Sequence, residues 1–383
     1  MKHRRNFARR LSVVAVLGIL VLALSGCGAK ALNHESWPGM TVVGDTIYAA
    51  NLEHIQALDA ETGKLYWSFP DENDTNLRPF YSTPVLAPDH GEHGLLLVAG
   101  FKDKTVYALP LGESVAERPG TPLWTFAEAG GQYVGSGVVA GELFLIGNGD
   151  GKVYALKLAD GQMAWSFATR GRVWATPVII DGVVYIASLD HFLYAVDLTS
   201  GQELWHLEMQ GSIAATPVLA GGCLWVADFA RTLYQVDLPT HAVTWSTEAS
   251  DWIWATPVVD DDILYFVDVD GYVYALDAVT RTMLWNQPAY VADTVHGRPV
   301  LDSERHRLFV AGYERGGIHV IDTETGSILN WGTVMQKPGR LPGDLTTDGV
   351  RLYTMPILVK ERIQAFDLES GVLNWSYPVV ETK

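Results

Sequence analysis

The stretch YAVDLTSGQELW, residues 194–205, decides the fold of this chain. It recurs as QALDAETGKLYW at residues 56–67 and as QAFDLESGVLNW at residues 364–375. Each copy joins two apolar runs through an Asp and a Gly that lie four positions apart. Because Gly tolerates a positive φ, this pattern is typical of a turn between two antiparallel strands. The stretch therefore predicts a β-hairpin that the chain repeats.

The tryptophan that ends this stretch marks a repeat over most of the chain, with a spacing of 40 residues in its central part. The eight equivalent positions are Trp67, Trp124, Trp165, Trp205, Trp245, Trp285, Trp331 and Trp375. Each unit also carries four short apolar segments, and four strands in ~40 residues are the blade of a β-propeller. We therefore predict an all-β fold, an eight-bladed β-propeller of four-stranded antiparallel blades, which forms a single domain over residues 37–383. Since the tryptophans are equivalent in every blade, we interpret all eight as structural residues that pack between blades.

The composition excludes some kinds of function. The net charge is -17, whereas a protein that binds nucleic acid needs clustered Lys and Arg, so we expect no nucleic acid as a partner. Two cysteines cannot make a disulfide scaffold. One of them, Cys223, occupies a position that Val183 and Ile263 fill in the neighbouring units. We interpret it as a small core residue.

The first residues have the pattern of an export signal. Residues 1–26 begin with five basic side chains, and an uncharged run over residues 11–24 is too short to cross a bilayer as a helix. The run ends in Leu24-Ser25-Gly26-Cys27, which resembles a bacterial lipobox. We predict a lipoprotein signal peptide over residues 1–26, lipidation at Cys27 and a lipidated tether over residues 27–36.

This pattern predicts an exported protein that its lipid anchors to the cell membrane or the outer membrane, facing the periplasm or the cell exterior. An uncleaved signal anchor is the alternative. Arg4-Arg5 resembles the core of a twin-arginine signal, but His3 and Ala8 depart from it. General secretion and twin-arginine export therefore both stay open.

The linkers between blades depart most from the repeat. Among the linkers, residues 170–177 contain two Arg and a Trp, residues 251–257 contain two Trp, and residues 293–299 contain a His and an Arg. The residues that we expect around the mouth of the central channel are Arg170, Arg172, Trp174, Trp252, Trp254, His296 and Arg298. Aromatic planes and guanidinium groups suit either an acidic loop of a partner or a planar anionic ligand. Trp174 and Trp254 have the alternative interpretation that they plug the channel.

Motifs for metal binding or catalysis are weak. The segments 268–271 and 148–151 resemble the start of calcium loops but lack the remaining oxygen ligands, and hairpin turns explain both. His90 and His93 could chelate a metal, although two glycines nearby favour a solvated loop. We therefore expect no catalytic residue and no metal site.

The phrase Ala-Leu-Asp-x-x-Thr-Gly-x-x-x-Trp, as in residues 57–67, resembles the repeat of the pyrroloquinoline-quinone (PQQ) propellers. This family implies an eight-bladed propeller but contains two functional classes. Quinoprotein dehydrogenases bind PQQ and a metal, are longer, and in many cases carry a disulfide between adjacent cysteines. The BamB lipoproteins of the outer-membrane β-barrel assembly machinery have the same blades, lipid anchor and size. This chain has no adjacent cysteines.

The BamB-like resemblance implies a membrane-anchored envelope lipoprotein with a monomeric propeller that serves as a non-catalytic protein-binding scaffold. Its partners would be the membrane, through the lipid on Cys27, and another envelope protein. We expect no cofactor for such a scaffold. The first alternative is a quinoprotein dehydrogenase that depends on PQQ and Ca²⁺. The second is a sensor or carrier of a small ligand.

Overall fold

The computed structural model describes residues 39–70, 79–331, 339–360 and 362–378. The predicted signal peptide, Cys27 and the tether lie outside these residues. Over the described residues the chain forms 33 strands in eight sheets, and one three-residue 3-10 turn at Ser303–Arg305. No helix in this part of the chain is long and apolar enough to span a membrane. The structure confirms the all-β, eight-bladed propeller.

The first four blades each consist of four consecutive strands. Blade 1 contains β1–β4 at Gly39–Val43, Thr46–Asn51, His54–Asp59 and Leu65–Phe69. Blade 2 contains β5–β8 at Val85–Ala87, Leu95–Ala99, Val106–Pro110 and Trp124–Phe126. Blade 3 contains β9–β12 at Gly137–Ala140, Leu143–Gly147, Lys152–Lys157 and Met163–Ala168. Blade 4 contains β13–β16 at Val178–Ile180, Val183–Ala187, Phe192–Asp197 and Glu203–Glu208.

The last four blades follow the same order, with one extra strand in blade 6. Blade 5 contains β17–β20 at Val218–Ala220, Cys223–Ala227, Thr232–Asp237 and Ala242–Glu248. Blade 6 contains β21–β25 at Val258–Asp260, Ile263–Val267, Tyr272–Asp277, Thr282–Met283 and Ala289–Tyr290, and β25 pairs with β23. Blade 7 contains β26–β29 at Val300–Asp302, Arg307–Ala311, Ile318–Asp322 and Ile328–Leu329. Blade 8 contains β30–β33 at Thr346–Thr347, Arg351–Thr354, Ile363–Asp367 and Leu373–Tyr377.

The hydrophobic core lies between neighbouring blades. The second and third strands are buried almost throughout, as in β14 and β15, because other blades cover both of their faces. The fourth strand forms the outer edge of each blade, so β16 alternates between exposed and half-buried residues. The clusters of buried side chains accordingly draw their members from two adjacent blades. We call the packed interface between two neighbouring blades a seam. These seams hold the loops at both ends of the strands.

The repeat tryptophans form these seams. The indole N–H of Trp165 in blade 3 donates to the carbonyl oxygen of Leu198 in blade 4 at 2.9 Å. The ring also packs against Gly201, whose φ is +69°, and a Cβ atom at that glycine would lie 2.7 Å from the indole. The same donation to the next blade occurs from Trp124, Trp285, Trp331 and Trp375 to Leu158, Thr323, Leu368 and Ala60. The Gly of the repeated stretch thus makes room for the Trp of the preceding blade.

Blades 8 and 1 close the ring through the same kind of seam. The indole N–H of Trp375 and the hydroxyl of Tyr353, both in blade 8, donate to the carbonyl oxygen of Ala60 at 3.1 and 3.2 Å. Each described sheet contains only strands that are consecutive in sequence. Closure over the described residues therefore depends on packing between blades and not on a sheet shared by the two chain ends.

Some seams vary the pattern. Trp67 donates to the carbonyl oxygen of Val115, which lies in the longer loop of blade 2. Trp205 stacks on His241 with 4.9 Å between ring centroids, because His241 stands where most units have Gly. Cys223 is only half-buried, so the expectation of a core residue was wrong. It begins β18 directly after the Gly221-Gly222 turn, where solvent reaches the strand.

Candidate functional site

The linkers and the hairpins between second and third strands lie at the same end of the blades. In blade 4 the N–H of Leu189, in the hairpin, donates to the carbonyl oxygen of Arg172, in the linker, at 2.9 Å. Equivalent bonds join Phe229 to Ser212, Val269 to Trp252 and Tyr313 to Thr294. We call this surface the mouth face. Hydrogen bonds between backbone groups hold these loops. Because such bonds do not depend on the side chains, the side chains of the loops can differ between blades while the scaffold stays the same.

Linkers of neighbouring blades are also bonded to each other. The N–H of Thr176 donates to the hydroxyl oxygen of Thr216, and the N–H of Thr216 donates to that of Thr256, both at 3.1 Å. Between blades 7 and 8 the N–H of Arg298 donates to a carboxylate oxygen of Asp344 at 2.7 Å. Hydrogen bonds therefore connect the linkers of blades 4, 5 and 6 in one group and those of blades 7 and 8 in another.

Aromatic side chains from several blades meet on this face. Trp174 lies 6.3 Å from Trp254 between ring centroids, Trp254 lies 5.4 Å from His296, and His296 lies 4.7 Å from Tyr313. Trp174 belongs to the linker of blade 4 and Trp254 to that of blade 6. The equivalent residue of the intervening blade is Ala214, whose small side chain leaves room for the two indoles to meet.

A second branch joins this row through blade 5. Phe229 stacks on Trp252 with 5.5 Å between centroids and lies 5.2 Å from Trp254. We call these side chains the mouth cluster, which consists of Trp174, Phe229, Trp252, Trp254, His296 and Tyr313. All six are half-buried. Trp174 and Trp254 therefore remain accessible to solvent while they contact each other.

His296 contributes a neutral ring to the cluster. It lies between Trp254 and Tyr313, and its Nδ1 atom has no hydrogen-bond partner among the described residues. Burial lowers the pKa of His296 to about 4, although the charge of Asp293 acts in the opposite direction. The imidazole is therefore uncharged at neutral pH and acts mainly as an aromatic surface.

The buried carboxylate of Asp293 fixes the hairpin that carries Tyr313. It accepts the backbone N–H groups of Thr294, Glu314 and Arg315 at 2.8 to 3.1 Å. One carboxylate thus binds the linker and the hairpin of blade 7 together. This arrangement places Tyr313 against His296.

The three predicted arginines do not join the mouth cluster. Arg170 is exposed and lies over the ring of Phe192, with 5.3 Å from its guanidinium carbon to the centroid. Phe192 is not a member of the mouth cluster. Arg172 and Arg298 are exposed on the same face. The structure therefore brings together the three tryptophans and His296 and leaves the three arginines outside the mouth cluster.

Several residues of this surface escaped the prediction from sequence. Phe229 and Tyr313 belong to hairpins, whereas only the linkers were compared between blades. A comparison of the equivalent hairpin positions would have found them, since Gly149, Leu189 and Val269 stand there in the other central blades. Arg340 also escaped, and its guanidinium carbon lies 5.4 Å from the ring centroid of Tyr313.

The donor atoms of this surface do not fit a Ca²⁺–PQQ centre. Ca²⁺ takes six to eight oxygen ligands, and no group of three or more His, Cys, Asp or Glu side chains in the described ranges could hold a metal. The carboxylate oxygens of Asp268 already accept hydrogen bonds from the N–H of Tyr272 and the hydroxyl of Tyr274. His90 and His93 face separate carboxylates, those of Glu142 and Glu92, at 3.6 and 3.9 Å.

Comparisons with known proteins agree with this architecture. A comparison with curated proteins finds no match. The crystal structure of BamB from Moraxella catarrhalis is 19% identical, with a TM-score of 0.66 over 83% of this chain and 92% of that chain. The computationally designed protein Ika8 is 15% identical, with a TM-score of 0.69 over 88% of this chain and 98% of that one. At these identities the two structures show the fold.

The sequence itself matches a family model over most of the propeller. The model is described as outer membrane protein assembly factor BamB, of the PQQ repeat type, and it matches residues 111–216 and 190–381. The chain therefore belongs to the BamB family of PQQ-like β-propellers.

Proposed function

We propose that this protein is a non-catalytic scaffold of the cell envelope whose mouth face binds another envelope protein. Membership of the BamB family supports an envelope partner. The observation that carries the proposal is the mouth cluster, in which six half-buried aromatic side chains from four blades form a connected surface. Large, rigid aromatic groups are the side chains that most often dominate the binding energy of protein interfaces.

The seams between blades supply the second requirement of a binding scaffold. An interface gains affinity when its groups are already held in place, because less conformational freedom is lost on binding. Here the linkers and hairpins are bonded to each other and to neighbouring blades. The mouth cluster is thus presented on a framework that needs no rearrangement to receive a partner.

Affinity capture from solubilised membranes tests the proposal. We expect the wild-type protein to retain an envelope protein that the Trp252→Ala/Trp254→Ala variant loses. The matched control is Tyr290→Ala, which removes a 48% exposed aromatic ring from the outer edge of blade 6, outside the mouth cluster. Identical sets of captured proteins from the wild type and the double variant would contradict a role of the mouth face.

The proposal includes the anchor. We propose a lipoprotein signal peptide over residues 1–26, acylation of Cys27, a tether over residues 27–36 and a single propeller domain over residues 37–383. The motif around Cys27 supports this part of the proposal. We expect Cys27→Ser to abolish metabolic labelling with a radioactive fatty acid and to release the protein from membranes. Unchanged labelling of this variant would refute the anchor.

Two other functions are tested with the purified propeller. A quinoprotein would develop a visible chromophore with PQQ and Ca²⁺ and would oxidise alcohols or sugars with an artificial electron acceptor. A carrier would bind a small ligand at the mouth cluster and quench its tryptophan fluorescence. We expect neither result, and robust dye-linked oxidation would overturn the scaffold proposal.

A further inference from the structure

The arginines at the two ends of the blades differ in whether an internal acceptor binds their guanidinium group. The other end, which we call the turn face, consists of the hairpins between first and second and between third and fourth strands. There Arg305 pairs with Asp302 at 3.2 Å and Arg351 with Asp348 at 2.9 Å. Arg307 donates to the carbonyl oxygen of Glu369 at 3.0 Å. Internal acceptors thus satisfy most guanidinium groups of the turn face, with Arg281 as the exception.

The arginines of the mouth face lack such partners. Among the described residues, only Arg231 on this face is in an ion pair, with Glu248 at 3.6 Å. The arginines on the described part of this face that have no ion pair are Arg170, Arg172, Arg298, Arg315, Arg340 and Arg362. In a protein whose net charge is -17, with so many acids available, this arrangement leaves cationic groups free for an external anion.

Two carboxylates on the same face accept internal hydrogen bonds. Asp190 accepts the N–H groups of Arg170 and Phe192 and the hydroxyl of Tyr194. Asp293 accepts three N–H groups of blade 7. These hydrogen bonds hold the loops in place. The neighbouring guanidinium groups do not take part in them and face solvent.

The turn face has the opposite character. Its hairpins carry acids in every blade, and the Asp of the repeated stretch accepts backbone N–H groups there, as Asp197 does from Ser200 at 2.7 Å. The acids of these hairpins include Asp45, Asp59, Glu61, Asp181, Asp197, Asp261, Asp262, Asp277, Glu304, Asp322, Glu324 and Glu369. Exposed acids such as Asp270 and Glu314 also lie on the mouth face, but there they stand among arginines. The turn face is the more acidic end, so an acidic partner is repelled less at the mouth face.

We propose that the segment bound at the mouth face is an acidic stretch of a protein with an apolar side chain at its centre. This inference rests on the proposed function. The apolar side chain packs on Trp174 and Trp254 above the small Ala214, and flanking carboxylates pair with Arg172, Arg298 and Arg340. A guanidinium group matches a carboxylate with two parallel hydrogen bonds, and the aromatic surface beside it excludes water from that pair.

Peptide binding tests the chemistry directly. The probe is a fluorescein-labelled nine-residue peptide with a central Phe flanked by Asp and Glu, and fluorescence anisotropy at low salt reports its affinity. Two matched peptides replace the acids by Lys or the Phe by Ser. We expect the acidic Phe peptide to bind at least about tenfold more tightly than either, and to lose affinity as salt rises. Equal binding of the three peptides would overturn the inference.

Charge reversal locates the site. We expect Arg172→Glu/Arg340→Glu to weaken binding of the acidic Phe peptide by about tenfold or more, which corresponds to about 1.4 kcal/mol. The control Arg281→Glu reverses an exposed arginine of the turn face and should change the affinity less than about twofold. Circular dichroism establishes that both variants are folded. A similar loss in the two variants would show a general charge effect and overturn the site.

The remaining outcomes separate this inference from the function on which it rests. If the captured envelope protein is lost with Trp252→Ala/Trp254→Ala but kept with Arg172→Glu/Arg340→Glu, the scaffold stands and the acidic partner is wrong. If both variants keep it, both proposals fail. Binding to vesicles of anionic lipid without any preference among the peptides, or self-association of the propeller that the arginine reversal abolishes, would replace the acidic segment by another occupant.

Discussion

The seam between blades 3 and 4 requires a residue without a Cβ atom at Gly201. The φ of Gly201 is +69°, and a Cβ atom would lie 2.7 Å from the indole of Trp165. Gly182 in the same blade has a φ of +79° but nothing within 4 Å of the corresponding position. The two glycines share the backbone requirement, and only one of them also provides space for an indole.

We therefore predict different costs for the same substitution. Gly182→Ala should lower the free energy of unfolding by about 1 kcal/mol through backbone strain alone. Gly201→Ala should lower it by about 2 kcal/mol more, since the added methyl group displaces the indole. Thermal and urea unfolding followed by circular dichroism measure the difference. Equal costs would mean that the seam tolerates the displaced indole.

His296 makes the mouth face sensitive to acid. Burial lowers its pKa in the folded protein to about 4, whereas the unfolded chain has a pKa near 6.5. Between these values the unfolded state takes up a proton that the folded state does not. The free energy of unfolding therefore falls as the pH is lowered from about 6.5 to about 4, by up to about 3 kcal/mol from this residue.

The matching experiment compares the pH dependence of unfolding in three proteins. We expect His296→Gln and His296→Phe to lose this part of the acid sensitivity, and His296→Phe to keep the contacts with Trp254 and Tyr313. Slopes of the wild type and both variants that coincide between pH 6.5 and 4 would contradict the assignment.

At the scale of single residues, the sequence was informative wherever a position repeats. The tryptophans and the Asp and Gly of the repeated stretch occupy equivalent sites because every seam has the same geometry. The positions that differ between blades were predicted only in part. Trp254 and His296 were found because linkers were compared, whereas Tyr313 was missed because the equivalent hairpin positions were not compared.

The loops of blade 7 behave as one element because of Asp293. We predict that Asp293→Ala leaves the blades folded but accelerates amide hydrogen exchange in residues 312–316, since two N–H groups of that hairpin lose their acceptor. The control Asp270→Ala removes an exposed carboxylate from the equivalent hairpin of blade 6. Exchange that is unchanged in the Asp293 variant would show that backbone bonds alone hold this hairpin.

Strands were predictable to the extent that side chains repeat along them. The second strand, such as β18 or β22, is a continuous apolar run because blades cover it on both sides. The fourth strand was less predictable, since it lies at the outer edge and little burial constrains it. In blade 6 it is reduced to Thr282–Met283, and β25 pairs with β23 further along. No pattern in the sequence indicated that the fourth strand would be this short or that β25 would pair with β23.

Closure of the ring is a property of the whole molecule that can be tested at one indole. Trp375 joins blade 8 to blade 1, and Trp165 makes the equivalent bond between blades 3 and 4. Because the two seams are alike, we predict that Trp375→Ala and Trp165→Ala each lower the free energy of unfolding by about 3 to 5 kcal/mol.

The two variants should differ in the region that loosens. Hydrogen exchange should accelerate in blades 8 and 1 for Trp375→Ala and in blades 3 and 4 for Trp165→Ala. A much smaller effect of Trp375→Ala would mean that other contacts, such as the hydrogen bond from Tyr353 to Ala60, close the ring without it.

The seam between Trp and Gly also has a consequence for the history of the molecule. One block of 40 residues carries both halves of the joint, a tryptophan for the blade that follows and a glycine for the blade that precedes. A tandem duplication of such a block would therefore bring a complete interface with it and would need no new compatible surface. Propellers of this kind can grow by copying and can then diverge in their loops, and the aromatic residues around Ala214 are such a divergence.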